Sequence, residues 1–303
     1  LYATASHDGE TQTRSFGNML VRQGGLEILS ASGFDTAAAR LAEEAIALAE
    51  APPCPSGRMD AVIAADQMVL QIHESIGHPL ELDRILGDER NYAGTSFVTP
   101  DMFGTYKYGS KHLNITFDPT IEGEVSSYAF DDEGTPASRE FLIKDGVLQR
   151  PLGSAQSQRR ANLPGVANAR ACHWNRPPID RMANLNLEPG TETLAQLIAR
   201  VERGVYMETN RAWSIDDSRN KFQFGCEFGR EIENGKLGRV VKNPSYRGIS
   251  AEFWRALSGV GDRSSWQVLG AANCGKGEPN QAVRVGHATP DCLFQNIDVF
   301  GSV

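Results

Sequence analysis

Two histidines five residues apart, His73 and His78, enclose a glutamate in the segment His73-Glu74-Ser75-Ile76-Gly77-His78. No other feature constrains the local fold as tightly. In the metal-binding pattern HExxH the histidines are four apart, about 40° around an ideal helix, so both reach one ion. Five apart they diverge by about 140°. Side chains pointing that far apart do not share a zinc ion at about 2.0–2.1 Å. Either the two histidines are not co-ligands, or the helix widens there to i→i+5 bonding. A turn of roughly 4.4 residues brings the second histidine back to about 50°. Gly77 and Pro79 stand where such a distortion is tolerated or forced, which favours the widened turn.

The surrounding pattern supplies the helix. Ala61-Val62-Ile63-Ala64 reads as a short buried strand. Asp66 suits the cap of a helix from about Gln67 to His78, with Met68, Val69, Ile72 and Ile76 as its buried stripe. Glu74 follows a ligand directly, so the helix turns it about 100° away, toward a water beside the metal. A zinc ion lowers the pKa of such a water to about 7, which makes Glu74 a candidate general base. Catalytic zinc takes three protein ligands and keeps one open position. The candidates for the third are Cys172, His173, Cys226, Cys274, His287 and Glu81, and spacing does not choose among them. Tyr106, Tyr108, His112 and His287 are chemically able to stabilise an oxyanion, without a ranking.

Elsewhere the chain reads as α+β, with the larger part dominated by antiparallel sheet. Residues 1–30 look like short strands, with a turn at His7-Asp8-Gly9 and strand character at Leu26–Leu29. Ala37 to Glu50 is an alanine-rich helix capped by Asp35 or Thr36. Three prolines and a glycine within residues 51–57 then mark a boundary. We expect residues 1–57 to end an N-terminal α+β domain and residues 58–303 to form a sheet-rich C-terminal domain. Residues 110–150 read as mostly strand, with a hairpin at Lys144-Asp145-Gly146 and a second at Asn234-Gly235. Thr193 suits the cap of a helix to Arg203 stopped by Gly204, and Ser250 the cap of a shorter one to Ser258.

Composition excludes some roles. A net charge of −8 over 303 residues, with Arg159-Arg160 a lone basic pair, argues against direct nucleic-acid binding. No apolar run approaches the roughly 18 residues of a membrane span. Five widely spaced cysteines without a CxxC argue against a disulfide framework and suit a reducing cytoplasm. The start, Leu1-Tyr2-Ala3-Thr4, reads like the middle of a strand in a longer protein, so a targeting signal could lie upstream.

Four segments in fixed order carry a resemblance. They are HESIGH; Phe130-Asp131-Asp132-Glu133-Gly134-Thr135-Pro136 with Leu142–Leu148; Leu187-Glu188-Pro189-Gly190 with Arg203–Tyr206; and Asn273-Cys274-Gly275-Lys276-Gly277 with Val285–Pro290. Together they resemble the TldD subunit of the TldD/TldE (PmbA) zinc metallopeptidases. The resemblance implies Zn2+ held by His73, His78 and Cys274, with Glu74 as general base. It further implies a catalytic subunit acting on unfolded peptide substrates, enclosed by a TldE/PmbA-like partner or by a homo-oligomer. A non-catalytic peptide-binding or assembly subunit on the same fold is the alternative; it would lack the HExxxH residues, which are all present here. The sequence departs from the family pattern at His287, where glutamine is usual, and over residues 85–115.

Overall fold

The computed structural model describes residues 1–301. Strands β1 (Tyr2–His7) and β2 (Glu10–Ser15) form a hairpin, followed by α1 (Glu27–Ala31) and α2 (Phe34–Glu50). β3 (Gly57–Ile63) leads into α3 (Ala65–Ile72), a π turn (His73–Gly77), a short 3-10 turn (His78–Leu80) and α4 (Leu82–Leu86). Shorter elements follow: β4 (Ile115–Phe117), β5 (Glu140–Lys144), β6 (Val147–Leu148), α5 (Ala155–Ala161), β7 (Ala169–Arg170), β8 (Ile179–Asp180), β9 (Leu185–Leu187) and α6 (Leu194–Ala199). The rest is long strand: β10 (Arg203–Ile215), β11 (Lys221–Glu233), β12 (Lys236–Lys242) and β13 (Pro244–Ile249). After α7 (Ser250–Arg255) come β14 (Leu257–Val260), β15 (Gln267–Lys276), β16 (Gln281–Thr289) and β17 (Cys292–Gly301). The fold is α+β and sheet-rich.

Strands β10, β3, β17, β13 and β11 pair in that order, and β11 returns to β10, so the five close on themselves like a barrel. Closure removes the exposed edges of these strands. Alternation drives it: Phe222, Phe224, Cys226 and Phe228 of β11 are buried while Lys221, Gln223 and Glu227 are not. Alternate residues of β3 serve two cores. Ala61 and Ile63 join the main core, and Val62 packs with Leu197, Val201, Ile232 and Leu293 beneath α6. The four-stranded sheet β6–β5–β4–β9 and the β15–β16 hairpin complete the body.

α3 is buried all round, packed against β10, β15 and β16. Met68, Ile72 and Ile76 enter the main core, and Val69 meets Leu269. Its first N–H is met from across the fold: Ala65 N–H donates to Asp291 Oδ1 at 2.9 Å. Asp66, expected as the cap, instead accepts from the Thr209 N–H at 3.1 Å and from its hydroxyl.

Other expectations are corrected locally. Leu26–Leu29 is not strand; Glu27 accepts the Gly25 N–H at 2.7 Å and a helical turn begins there. α2 starts at Phe34 after Gly33, whose φ of 79° makes the entry, so neither Asp35 nor Thr36 caps it. Thr193 does cap α6, in a reciprocal box with Gln196, but the helix ends at Ala199. Gly204 lies in β10, where a β-carbon would sit 2.3 Å from the Asp60 carbonyl oxygen, so close strand approach is what requires glycine. α7 begins with Ser250 itself, whose hydroxyl donates to Arg219 O at 2.8 Å, and ends at Arg255 because residues 257–260 pair with β17. Residues 118–139 are loop, clamped by Asp131 Oδ1 accepting the N–H groups of Glu133 and Thr135 at 3.0 and 2.9 Å. Both expected hairpins are present, with Asp145-Gly146 and Asn234-Gly235 at positive φ.

Candidate metal centre

The α-helical ladder stops at Ile72, and His73–Gly77 form a π turn in which the His78 N–H donates to the carbonyl of His73, an i→i+5 bond. Several contacts hold it. Ser75 Oγ donates to Gln71 O at 2.6 Å and accepts from Trp254 Nε1 at 2.9 Å. The Tyr108 hydroxyl donates to Ser75 O. Gly77 faces Met182 at a distance that leaves no room for a β-carbon.

The widened turn brings the two imidazoles together, with ring centroids 4.8 Å apart and planes at 89°. Cys274 arrives from β15. His73, His78 and Cys274 are buried, and each offers one ligand atom, all within 4.8 Å of one another. Cys274 Sγ lies 3.6 Å from His78 Nε2. The outer nitrogens are spoken for. His287 Nδ1 is 3.0 Å from Leu185 O, a carbonyl, so it must be the donor. Neutral His287 then presents Nε2 as an acceptor, 2.9 Å from His73 Nδ1, which donates. His78 Nδ1 donates to Glu81 Oε2 at 3.0 Å. Both histidines are thus left with Nε2 lone pairs, the tautomer that outer hydrogen bonds impose on metal-binding histidines.

The electrostatics suit a cation bound to a thiolate. Burial pushes the Cys274 thiol up, but His78 and Arg181 outweigh it and its pKa is lowered. Arg181 Nη2 sits 2.8 Å from Cys274 Sγ. Burial also lowers the pKa of His73, against the pull of Glu74 and Glu81, which keeps it a neutral ligand. Glu81 is held well below the ordinary carboxylate range: burial opposes this, and Lys276 and His78 overcome it. Beneath it, Lys276 Nζ contacts Asp83 Oδ1 at 2.5 Å and donates to Asp180 O, all fully or nearly buried. Burial and the neighbouring Asp180 and Glu81 push Asp83 up to about 7 despite Lys276. Two imidazole nitrogens and a thiolate form a donor set that fits zinc.

Glu74 is buried close to both histidines. Its Oε2 accepts from Arg219 Nη1 at 2.6 Å. Burial works against its charge, but His78, His73 and Arg219 together hold its pKa below the ordinary value.

A family model described as the PmbA/TldA metallopeptidase C-terminal domain matches residues 56–301. The chain belongs to the PmbA/TldD family. A metalloprotease of Methanothermobacter thermautotrophicus is 34% identical over 280 residues, covering 92% of this chain and 58% of that one. The metalloprotease TldD homolog of Haemophilus influenzae is 33% identical over 279 residues, covering 88% and 54%. The chain therefore spans somewhat more than half the length of these PmbA/TldD relatives. The crystal structure of TldE from Thermococcus kodakarensis superposes with a TM-score of 0.71 at 14% identity, covering 98% of this chain and 61% of that one, a likeness of fold.

The remaining candidates read from this PmbA/TldD sequence fall elsewhere. Cys226 is buried in barrel strand β11, and His173 is exposed beside Trp174 on a loop. Cys172 is half-buried, its N–H on Gln281 Oε1 at 3.0 Å. His287 and Glu81 join the cluster from outside, through His73 and His78. Two residues around the cluster, Arg181 and Arg219, carry no motif signal; Lys276 stands in the Cys274 segment, but its contacts with Asp83 and Glu81 are not legible there. Arg219 belongs to the turn Asp216-Asp217-Ser218-Arg219-Asn220, which reads as an ordinary polar hairpin tip. Among the described residues, no helix is long and apolar enough to cross a membrane.

Proposed function

We propose that this chain carries the catalytic centre of a zinc peptidase that hydrolyses unfolded peptides, with His73, His78 and Cys274 as ligands and Glu74 as general base. The observation that carries the reading is the convergence of those three ligand atoms within 4.8 Å, with Glu74 close enough for both histidines to lower its pKa. Names of relatives as metalloproteases support it. Zinc, when bound, supplies a Lewis acid that makes an adjacent water more acidic and polarises the scissile carbonyl. Glu74, kept ionised by its neighbours, takes the proton of the attacking water and returns it to the leaving amine. Glu81 and His287 orient the imidazoles, and Arg181 orients the thiolate. Residues 1–57 would end an N-terminal α+β domain that precedes the metallopeptidase domain at 58–303. A TldE-like partner or a second copy would enclose the site, in the cytoplasm.

The test is paired. Zinc content is measured in the wild type, Cys274→Ala and Glu74→Gln, and each is assayed on an unfolded peptide with a TldE-like partner present. Cys274→Ala should lose zinc, and Glu74→Gln should keep it and be inactive. Peptide cleavage by Glu74→Gln at the wild-type rate would remove Glu74 from the mechanism, and full zinc in Cys274→Ala would reassign the third ligand.

A further inference from the structure

We infer that Arg219 is the oxyanion donor of this site, the group that stabilises the charge on the peptide carbonyl oxygen during hydrolysis; this rests on the peptidase reading above. Two of the four donors named from sequence are committed to other partners. The Tyr108 hydroxyl is committed to Ser75 O, and both ring nitrogens of His287 are used by His73 and Leu185. His112 lies among Lys111, Arg200 and Glu192. Tyr106 packs edge-on to Tyr108, and the Arg255 guanidinium lies over its ring.

Arg219 has donors to spare. A guanidinium carries five N–H groups. Nη1 donates to Glu74 Oε2 at 2.6 Å, and Nη2 reaches Ala93 O only at 3.5 Å. Nε is buried and meets no acceptor among the described residues. A buried charged donor without an acceptor is costly, and costs of this kind concentrate where a ligand will supply the missing partner.

The residue is also held in place. Its φ is 63°, a region a non-glycine residue seldom occupies. Asp216 Oδ1 accepts the N–H groups of Asn220 and Lys221 at 2.7 and 2.9 Å, and Asp216 O accepts that of Arg219 at 2.9 Å. The Arg219 carbonyl accepts from Ser250 at the start of α7. The Thr95 and Phe97 N–H groups donate to Asp217 O and Ser218 O, both at 2.8 Å. The turn is thus tied to α7 on one side and to residues 95–97 on the other. Strain held this firmly beside Glu74 pre-positions the guanidinium.

The step balances with groups already named. The water oxygen bonds to the carbonyl carbon as its proton moves to Glu74, and the C=O π pair moves onto oxygen. Arg219 donates to that oxygen while Nη1 keeps its hold on Glu74. When the pair returns, the C–N bond breaks and the proton on Glu74 goes to the amine nitrogen.

Arg219→Ala and Arg219→Lys are prepared in the zinc-loaded protein with its partner, and zinc content and thermal melting are checked first. Both variants should keep zinc. Losing one oxyanion donor should lower kcat about 100- to 1000-fold with little change in KM. The second readout is binding by calorimetry. A phosphinic peptide, whose tetrahedral centre mimics the charged state, should bind the variants weaker by a similar factor. An uncleaved substrate peptide should bind Glu74→Gln and Glu74→Gln/Arg219→Ala equally. Wild-type kcat in either variant, or equal loss of affinity for both peptides, overturns the assignment and makes Arg219 at most a substrate anchor. A wild-type protein that neither cleaves peptide nor binds the phosphinic peptide overturns the peptidase reading along with it. Should Arg219→Ala fail to fold, Arg219→Lys decides alone, since it keeps the charge beside Glu74 and loses the fork.

Discussion

Gly77 lies so close to Met182 that a β-carbon on it would sit 2.0 Å from Met182 Sδ. The backbone of Gly77 itself is helical, with φ of −57°, so glycine is needed here for space and not for conformational freedom. Gly77→Ala should displace Met182 or undo the π turn, at a cost of about 1–3 kcal/mol in chemical denaturation. It should also weaken zinc binding, because the turn aligns His73 with His78. Trimming the sulfur side chain in Gly77→Ala/Met182→Ala should recover zinc affinity. Unchanged zinc affinity in Gly77→Ala would break the link between this contact and the metal geometry.

Arg181 donates to Cys274 through both Sγ and the carbonyl oxygen, at 2.8 and 2.7 Å, and to Gln281 O at 2.8 Å. One guanidinium therefore fixes the rotamer of Cys274 and stitches β15 to β16. Arg181→Met should weaken zinc affinity about 10- to 100-fold, the usual size of an outer-shell loss. Competition with a chromogenic chelator measures it. Arg181→Lys should fare only slightly better, since one ammonium cannot serve three acceptors in a plane. Wild-type affinity in Arg181→Met would reduce the arginine to a strand clip.

His287 occupies a position whose hydrogen-bond geometry would suit glutamine as well as histidine. The position must accept from His73 Nδ1 and donate to Leu185 O. Neutral imidazole does both, and so does a carboxamide. His287→Gln should thus keep zinc affinity within a few-fold, whereas His287→Leu, which can do neither, should lose about 10- to 100-fold. Equal losses in the two variants would show that ring size, not the hydrogen-bond pair, matters at this position.

The same contrast runs through what the sequence made legible. The spacing of His73 and His78 favoured a widened turn, because helix geometry is fixed per residue and only such a turn lets both reach one ion, and the π turn lies there. Asp145-Gly146 and Asn234-Gly235 were equally readable, since their backbone demands are local. The cap of α3 was not, because its acceptor, Asp291, is 226 residues away. Arg219 was missed for the same reason: nothing in Asp216–Asn220 says that its tip folds back onto Glu74. Residues 118–139 looked like strand by composition, but a buried aspartate competing for backbone N–H groups held them as loop. Periodicity and local turn chemistry travel with the segment, and side chains that act across the barrel do not.

Glu124 should make stability depend on pH. It is fully buried, its Oε2 accepts from Asn186 Nδ2 at 3.0 Å, and Oε1 has no partner among the described residues. Burial pushes its pKa from 4.5 up to about 8, with the nearby Asp118 adding to it and Asn186 opposing. The folded state therefore holds a proton that the unfolded chain gives up near pH 4.5. Stability from this group is present below that pH and is lost as pH rises toward about 8. The full span corresponds to roughly 3–5 kcal/mol. Glu124→Gln keeps an acceptor for Asn186 and has no charge to gain, so it should be the more stable protein at pH 8.5 and close to wild type at pH about 5. Part of the slope should survive in the variant, because burial also pushes Asp291 up to about 7. Urea unfolding across that pH range decides the matter: parallel curves for wild type and Glu124→Gln would mean that Glu124 ionises normally in the folded protein.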